Sequence, residues 1–465
     1  MAMRVSTWKW GVVVAVIALA ASACGANGDA QSGAEDAERG STPSTFESAP
    51  VGTFGDLEGV CGPGDATLAK GEAGTSTPGT INIGVATDRN SDIRPGLNKE
   101  MWDASVAFAE WCNAAGGAQG LEINLVELDG ALFNVEAAMT TACSDVFAMV
   151  GGGFAQDQLE FSGKEDSDIE LCGLVDIPGF AASTVKASSL SQVLPLVNVP
   201  SDQPLTWLWD YKELDPKNSK TAAIVYADIP SIVELRDKYE AGLTEVGIAT
   251  VDSINYSPAG PADWTPYVQR VIESGATTVM WIGETTLAAT FFTALRQQGW
   301  DGVPLLESNI YDPLLFSAGN DGPEGAVVRQ NIHPFEEADI WPATQQYLDL
   351  VDEQVPDGST GTLGVGSTSA WLLFTTAATA CAEQNDGVIS RACIIEQAAA
   401  QDDWTGGGLH APQDPDTPDR ATASNCGMLM EVRDGAFVRL HPKLDGDGDD
   451  IDGFHCPDNG VLRIP

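Results

Sequence analysis

The chain has 465 residues, 43% of them hydrophobic, which is enough for two or three globular domains with substantial cores. Its 67 acidic and 23 basic residues give a formal net charge of −44. Because binding to nucleic acid requires clustered lysine and arginine, this charge balance excludes nucleic acid as a partner.

The first 24 residues have the pattern of an export signal. Two basic residues precede a short apolar run, and small residues follow it up to Cys24. The run is too short to remain as a membrane-spanning helix. Small residues that end on a cysteine resemble a bacterial lipobox, which implies a signal peptide over residues 1–23 and a lipid on Cys24. An ordinary secretory cleavage site is the alternative.

Residues 24–78 are rich in small, acidic and proline residues, which is typical of a flexible acidic linker that follows the lipidated cysteine. Cys61 indicates that the later part of this linker is attached to the globular body.

An alternating series of strands and helices follows the linker. Apolar runs predict buried strands and apolar residues three or four positions apart predict helices. The predicted order is strand Ile81–Ala86, helix Met101–Asn113, strand Ile123–Leu128, helix Val135–Val146 and strand Phe147–Val150, which leads into Gly151-Gly152-Gly153. This order indicates a parallel, doubly wound α/β sheet, in which ligands bind beyond the carboxyl ends of the strands.

A second series of the same kind begins at Thr221. Its predicted strands are Ala222–Tyr226, Ala249–Tyr256, Thr277–Ile282, Val303–Leu306 and Gly325–Ile332, with helices Ile232–Val246, Pro266–Ser274 and Thr286–Gln298 between them. Later helices are predicted at Trp341–Gln354, Ser367–Cys381 and Ile389–Gln401, before a hairpin formed by Met428–Val432 and Phe437–Leu440. We therefore predict an α/β protein of two Rossmann-like lobes between which the chain crosses more than once. Residues 79–202 and 334–420 form lobe 1, and residues 203–333 and 421–465 form lobe 2.

Apart from Cys24 the chain has eight cysteines, an even number that agrees with export and disulfide formation. Cys381 and Cys393 flank a short polar turn and are predicted to pair, and Cys426 and Cys456 are predicted to form the next pair. Cys112 and Cys143 lie on successive helices and are assigned to each other. This leaves Cys61 for Cys172, although eight cysteines allow 105 pairings.

The ends of the strands supply the candidate ligand-binding residues. In the first lobe, Gly152 and Gly153 let a ligand approach backbone N–H groups, or else form only a tight turn. Ser183 and Thr184 offer hydroxyl groups to a ligand or cap a helix, and Glu284 or Asp312 of the second lobe holds an ammonium group or is merely solvated. The complete predicted set is Gly152, Gly153, Phe154, Ala155, Phe180, Ala182, Ser183, Thr184, Tyr226, Asp228, Glu284, Asn309, Tyr311 and Asp312.

Signals for catalysis and for metal binding are weak. The sequence contains no G-x-S-x-G, HExxH or phosphate-binding-loop motif, and no CxxC accompanies its four separated histidines. Acidic residues alternate over Lys443–Asp450, but an EF-hand-like loop requires Gly and Glu at two positions that are Asp450 and Cys456 here. We therefore predict no enzyme activity, no cofactor and no metal, with a charged surface loop at this segment.

These elements together resemble the type I solute-binding proteins of ABC transporters, in the class that binds branched-chain amino acids or amides. The similarity extends from about Thr80 to Leu440 and depends on Ile81–Val85, Trp111–Gly117, Phe147–Gly152, Ala222–Tyr226 and Val279–Gly283. The resemblance implies two lobes on a three-stranded hinge that close on a small ligand. It also implies that the loops at residues 152–155 and 182–184 bind a ligand carboxylate. In the amino-acid binders of this class, an acidic residue holds the α-ammonium group of the ligand. The position that matches it best in this chain is Asn309, so the chain departs from that pattern.

The sequence thus predicts a lipid-anchored, extracytoplasmic substrate-binding protein that captures a branched-chain amino acid, an amide, urea or a short carboxylate. Its expected partners are this small molecule, an ABC transporter permease and, through the lipid, the membrane, and it is expected to be a monomer. The alternatives are a ligand-sensing receptor subunit with the same fold and a secreted α/β hydrolase.

Overall fold

A computed structural model describes residues 50–74, 77–92, 94–157, 167–444 and 450–464 of the chain. The predicted signal peptide, Cys24 and the linker up to residue 49 lie outside these residues, as do residues 445–449 of the acidic segment.

The described residues form seventeen strands and eleven α-helices. The strands are β1 (Thr67–Leu68), β2 (Thr80–Thr87), β3 (Glu122–Asp129), β4 (Ala148–Val150), β5 (Val175–Ile177), β6 (Asp202–Pro204), β7 (Thr221–Ala227), β8 (Ala249–Tyr256), β9 (Thr278–Ile282), β10 (Val303–Leu306), β11 (Val327–Gln330), β12 (Val388–Ile389), β13 (Met428–Arg433), β14 (Ala436–His441), β15 (Asp450–Ile451), β16 (Phe454–His455) and β17 (Val461–Arg463). The helices are α1 (Lys99–Ala115), α2 (Val135–Asp145), α3 (Asp168–Leu171), α4 (Thr184–Ala187), α5 (Thr206–Leu214), α6 (Pro230–Glu245), α7 (Thr265–Ser274), α8 (Thr285–Gln297), α9 (Pro342–Gln354), α10 (Thr362–Gln384) and α11 (Arg391–Ala398).

The first lobe consists of a parallel four-stranded sheet, in the order β3-β2-β4-β5, and the helices packed on it. Helices α1 and α10 pack against each other at its core, where the ring of Phe108 stacks on Trp371 with 5.5 Å between centroids. The Trp371 indole donates a 2.9 Å hydrogen bond to Ser105 Oγ, so the buried polar atom of this large side chain is satisfied.

The second lobe is built on a seven-stranded sheet in the order β14-β13-β11-β10-β9-β7-β8. Its first five strands in the sequence are parallel, and the hairpin β13–β14 adds to them in antiparallel fashion. The five residues of β9 are all buried because helices cover both faces of the sheet, which explains the continuous apolar run at Thr278–Ile282.

The chain crosses between the two sheets three times, after β5, after β11 and after α11. The second and third crossings are hydrogen-bonded to each other, since the His333 N–H donates to Leu409 O and the Ala411 N–H donates to Asn331 O. The Gln413 side chain, on the third crossing, accepts from the Val197 N–H of the first at 3.2 Å. The three crossings therefore form one connected region.

Helix α5 was not predicted. Pro204, Trp207 and Trp209 indicated a passage between domains, but Thr206–Leu214 form a helix that packs against β13. Trp207, Leu208 and Tyr211 are buried on one side of it, which places this segment in the core of the second lobe.

Four disulfide bonds join the eight cysteines. The predicted pairs Cys381–Cys393 and Cys426–Cys456 are confirmed. The other two assignments are wrong, since Cys61 pairs with Cys112 and Cys143 pairs with Cys172. The physical reason is that the Gly62 N–H donates to Gly117 O, which holds the segment around Cys61 beside the end of α1.

Within the described part of the chain, none of the helices combines the length and the apolar character that crossing a bilayer requires.

Candidate functional site

The loops at the carboxyl ends of the two sheets contact each other, and we call these two sets of loops the first rim and the second rim. Arg94, after β2, forms an ion pair with Glu284, after β9. Ser231 Oγ, at the start of α6, donates to Ala155 O at 3.2 Å, and Ala155 follows β4. These direct contacts show that the two rims face each other.

A third contact between the rims involves a carboxylate. Glu234 Oε2 on α6 accepts hydrogen bonds from both the N–H (2.8 Å) and the hydroxyl (3.0 Å) of Thr184, which follows β5. Thr184 is one of the residues predicted to bind a ligand carboxylate, and here a carboxylate of the opposite lobe occupies that position.

Carboxylates of the first lobe take up other predicted donors of the first rim. Asp88 Oδ2 accepts from the Ala155 N–H at 2.6 Å. Asp157 accepts from the N–H groups of Ala182 and Ser183 at 2.5 and 3.0 Å. These charge-assisted bonds to backbone N–H groups hold the loops after β4 and β5 in place.

The glycine loop after β4 is tightly packed. The N–H groups of Gly151 and Gly153 donate to Ile177 O and Ala86 O. A Cβ on Gly152 would lie 2.2 Å from the backbone nitrogen of Ala86, so the close approach of this loop to β2 requires glycine there. Within the structure the loop thus serves sheet packing, and a role of Gly152 and Gly153 in ligand binding stays a prediction.

The remaining predicted residues of the first rim differ in exposure. Phe154 is buried and lies over Gly130 in the core, while Phe180 and Ala182 are partly exposed. Ser183 Oγ accepts from the Lys186 N–H and caps the short helix α4, which is the structural alternative for this hydroxyl.

On the second rim, Glu284 and Asp312 also cap helices. Glu284 accepts from the N–H groups of Thr286 and Leu287 at the start of α8, in addition to its ion pair with Arg94. Asp312 Oδ1 accepts from the Leu314 N–H at 2.7 Å, and Asn309 Nδ2 donates to Gly283 O at 3.0 Å. Both carboxylates therefore have structural roles besides any contact with a solute.

The other three predicted residues of the second lobe differ in their exposure to solvent. The partly exposed ring of Tyr226 carries the guanidinium of Arg236 above it, 5.3 Å from the ring centroid, and Asp228 is exposed. Tyr311 is buried, and its hydroxyl donates to Glu336 and accepts from the Phe335 N–H at 2.7 Å. Tyr311 therefore acts in packing within the second lobe.

Sequence reasoning missed several charged residues at the rims, of which Glu100 is one. Burial at the start of α1 raises the pKa of Glu100 to about 7, and the charges of Asp312 and Asp103 add to this effect. Burial likewise raises the pKa of Asp157 to about 6, against the opposing effect of its hydrogen bonds to Ala182 and Ser183. For Arg94, burial lowers the pKa, while Asp312 acts to raise it.

The two rims contain six carboxylates, and Arg94 links the first rim to the second through its ion pair with Glu284. The carboxylates are Asp88, Glu100, Asp157, Glu234, Glu284 and Asp312. Asp88 and Asp157 are buried and already accept from loop N–H groups, so the carboxylates that remain to accept from donors between the rims are those of the other four residues.

The fold, the facing rims and the three crossings are those of the type I periplasmic binding proteins, and the sequence profile of the family described as "Periplasmic binding protein" matches residues 80–436. The chain belongs to this family of solute-binding proteins. A comparison with curated proteins finds no match.

Solved structures of this fold resemble the chain at low sequence identity. The leucine-binding protein LivK of Thermotoga maritima has 15% identity and a TM-score of 0.63, covering 78% of this chain and 98% of its own. A fatty acid ABC transporter substrate-binding protein of Thermomonospora curvata has 17% identity and a TM-score of 0.65, with coverage of 82% and 95%. A solute-binding protein of R. palustris in complex with 4-hydroxybenzoate has 16% identity and a TM-score of 0.62, with coverage of 78% and 96%. These ligands differ widely, so the likeness establishes the fold and leaves the solute to the residues of the site.

Proposed function

We propose that the chain is the extracytoplasmic solute-binding component of an ABC importer and that it closes on a small polar solute between its two rims. The observation that supports this most strongly is the set of direct contacts between loops of the opposite lobes, Arg94 to Glu284 and Thr184 to Glu234. Binding proteins of this fold work by closure of the lobes, so a solute shifts the equilibrium by its preference for the closed form.

Among the predicted solutes, we favour those that carry N–H donors, which are amino acids, amides and urea, over simple short carboxylates. The first rim's N–H groups at Ala155, Ala182 and Ser183 already donate to Asp88 and Asp157. A carboxylate solute would also have to displace the like-charged Glu234 from Thr184. An ammonium or amide group would instead find carboxylates as acceptors.

The test is a thermal-shift screen with three groups of compounds, namely amino acids, amides including urea, and short carboxylates without nitrogen. A solute present at a hundred times its dissociation constant stabilises the protein by about 2.7 kcal/mol, which such a screen detects. Stabilisation by the first or second group alone supports the proposal, and stabilisation by the third group alone contradicts the preference for N–H donors.

The variant Glu234→Gln locates the solute between the rims. Since a charge-assisted hydrogen bond is about twice as strong as a neutral one, an N–H-bearing solute should bind E234Q roughly tenfold more weakly. Glu240→Gln is the matched control, because Glu240 lies on the same helix α6 and its carboxylate is 42% exposed and contacts Arg236. Tighter binding to E234Q would indicate a carboxylate that competes with Glu234, and unchanged binding would place the solute away from the rims.

We further propose that the protein is anchored by a lipid on Cys24, is a monomer, and delivers its solute to a membrane permease. The small residues that precede Cys24 support the anchor, and the four disulfide bonds agree with an oxidising compartment. Incorporation of labelled palmitate into the full chain, and its loss in Cys24→Ala, would be the expected result. Equal incorporation in both chains would contradict the assignment of Cys24.

A further inference from the structure

Three potential metal ligands from distant parts of the sequence meet in the second lobe. Asp210 lies on α5, His441 ends β14 and His455 lies on β16. Asp210 Oδ1 is 2.8 Å from His455 Nδ1 and 3.7 Å from His441 Nε2, and the three ligand atoms all lie within 4.8 Å of one another. The sequence did not predict this cluster, because its histidines are far from Asp210 in the chain and helix α5, which carries Asp210, was itself not predicted.

The carboxylate at the centre of this cluster is buried and incompletely satisfied. The Asp210 side chain is 4% exposed, and its Oδ2 has no hydrogen-bond partner among the residues that the structure describes. A buried carboxylate oxygen without a partner is costly, and a cation removes that cost. Glu213, on the same helix, adds further negative charge near Asp210.

The two imidazoles are accessible, which a metal site needs for entry of the ion. His441 is 33% exposed and His455 is 27% exposed, and their rings are perpendicular with centroids 5.4 Å apart. The ion could therefore reach the carboxylate from the histidine side while the protein core lies behind it.

The backbone holds the three ligands on separate, well-fixed elements. His455 forms two hydrogen bonds with Gly427, at 2.9 and 3.0 Å, and its neighbour Cys456 is bonded to Cys426. His441 pairs with Leu429 at the edge of the seven-stranded sheet. Ligands fixed by a sheet, a helix and a disulfide require little ordering when an ion binds.

We propose that Asp210, His441 and His455 form a binding site for a divalent transition metal ion, with Zn²⁺ as the best fit. Zinc is bound by histidine nitrogen and carboxylate oxygen at about 2.0–2.2 Å, so two ligand atoms of a tetrahedral site lie roughly 3.3 Å apart. The observed separations of 2.8 and 3.7 Å lie on either side of this value, so small side-chain rotations bring the atoms to the required spacing. Two histidines and one carboxylate supply three protein ligands and leave the fourth position to water or a further ligand.

A hydrogen bond between Asp210 and His455 would be present without the ion, with the proton on His455 Nδ1. Binding of the metal through Nδ1 requires that proton to move to Nε2 or to leave for solvent. The bound ion would then join α5 to β14 and to the short strand β16, and it would stabilise this end of the second lobe. This role is independent of the solute between the rims.

The experiment uses the full mature chain, treated with EDTA, exchanged into metal-free buffer and titrated with ZnSO₄ by calorimetry. A large excess of Mg²⁺ occupies the acidic surface, since a net charge of −44 attracts cations without a specific site. The variants are His441→Gln, on a partly exposed side chain whose loss leaves the core intact, and Asp210→Asn, which keeps the shape of the side chain. Asp416→Asn is the control for loss of one negative charge, at a carboxylate that pairs with Arg420 instead.

We expect one zinc ion per chain, unchanged affinity in D416N, and a loss of more than about 100-fold in H441Q and D210N, since changes outside the direct ligands already cost 10–100-fold. Co²⁺ in place of Zn²⁺ should show visible absorption of a tetrahedral site, and H441Q should abolish it. Thermal unfolding without metal verifies that each variant is folded. Absence of tight zinc binding, or equal binding by the unaltered chain and both variants, would overturn the proposal.

Discussion

The two lobes share one architecture but are stabilised in different ways. The first lobe carries three of the four disulfide bonds, and its rim is fixed by Asp88 and Asp157, which accept hydrogen bonds from the loop N–H groups. The second lobe carries the bond Cys426–Cys456 and a cluster of aromatic rings beneath its rim, formed by Tyr256, Trp264, Trp281, Phe291 and Phe292.

Aromatic packing in the second lobe leaves two polar atoms unsatisfied. In the part of the chain that the structure describes, Tyr256 Oη and Trp281 Nε1 are buried and have no hydrogen-bond partner. Both lie within 3.5 Å of the position that a Cβ on Gly283 would occupy, directly below the second rim. The first lobe therefore holds most of the covalent links, whereas the second lobe has packed aromatic rings with two unpartnered polar atoms directly below its rim.

Loss of a disulfide bond from the first lobe should destabilise the protein more than any other change considered below. Replacing Cys61 and Cys112 with alanine opens a loop of 51 residues, and its closure entropy corresponds to about 4 kcal/mol of unfolding free energy. The pair Cys381 and Cys393, with a separation of 12, should contribute about 3 kcal/mol. Urea unfolding of both double variants measures these values, and a loss below about 1 kcal/mol for the longer loop would show that covalent links do not distinguish this lobe.

The next effect concerns the carboxylate at the first rim. Asp157→Ala removes the acceptor of the partly buried Ala182 N–H and of the buried Ser183 N–H, and leaving both donors unpaired should cost about 3 kcal/mol of unfolding free energy. Asp157→Asn retains an acceptor oxygen and should cost about half as much.

Asp237→Ala serves as the control for D157A, because this side chain is 63% exposed and should change stability by no more than about 0.5 kcal/mol. Chemical denaturation at neutral pH provides the comparison. Equal losses in D157A and D237A would mean that the first rim is not held by this carboxylate.

Glu100 should make the free energy of unfolding depend on pH, and replacing it should have a smaller effect than the two changes above. Its pKa rises from 4.5 to about 7 in the folded protein, so its favourable contribution is present below about pH 4.5 and is lost as pH rises through 7. Glu100→Gln should therefore gain stability relative to the unaltered chain between pH 5 and 8, by about 2 kcal/mol after allowance for partial exposure.

The exposed Glu110, on the same helix α1, provides the control for this pH profile, since E110Q makes the same change in net charge. Unfolding midpoints measured across the pH range test the difference. A constant gap between E100Q and the unaltered chain at all pH values would contradict burial of the Glu100 carboxyl group.

The sequence alone predicted most strands because buried parallel strands are apolar runs, as in Val279–Ile282. It missed α5, since Pro204 and two tryptophans indicated a linker, although the helix is held by tertiary packing of Trp207 and Tyr211. It also misassigned Cys61, because the packing of this segment against the end of α1 has no local signal.

For the candidate site, the sequence predicted the loops but not the carboxylates that accept hydrogen bonds from them. Strand ends indicated residues 152–155 and 182–184, and these loops do meet the second lobe through Ala155 and Thr184. Asp157 and Glu234 were not singled out, because two carboxylates among 67 acidic residues are recognised only by the donors they meet in three dimensions.

Removal of the unsatisfied Tyr256 hydroxyl of the second lobe should change stability least. Tyr256→Phe retains the stacking of the ring on Trp281, with 4.8 Å between centroids, and removes an oxygen that has no partner within the described residues. No hydrogen bond is lost, so stability should stay the same or rise by up to about 1 kcal/mol. Tyr211→Phe is the matched control, because the buried Tyr211 hydroxyl lies 2.5 Å from Thr278 Oγ1 and its removal should cost about 1 kcal/mol. If urea unfolding shows the same loss for both variants, the Tyr256 hydroxyl is hydrogen-bonded in solution. The Tyr256 hydroxyl would then no longer distinguish the second rim from the first, and the difference in disulfide bonds between the lobes would remain.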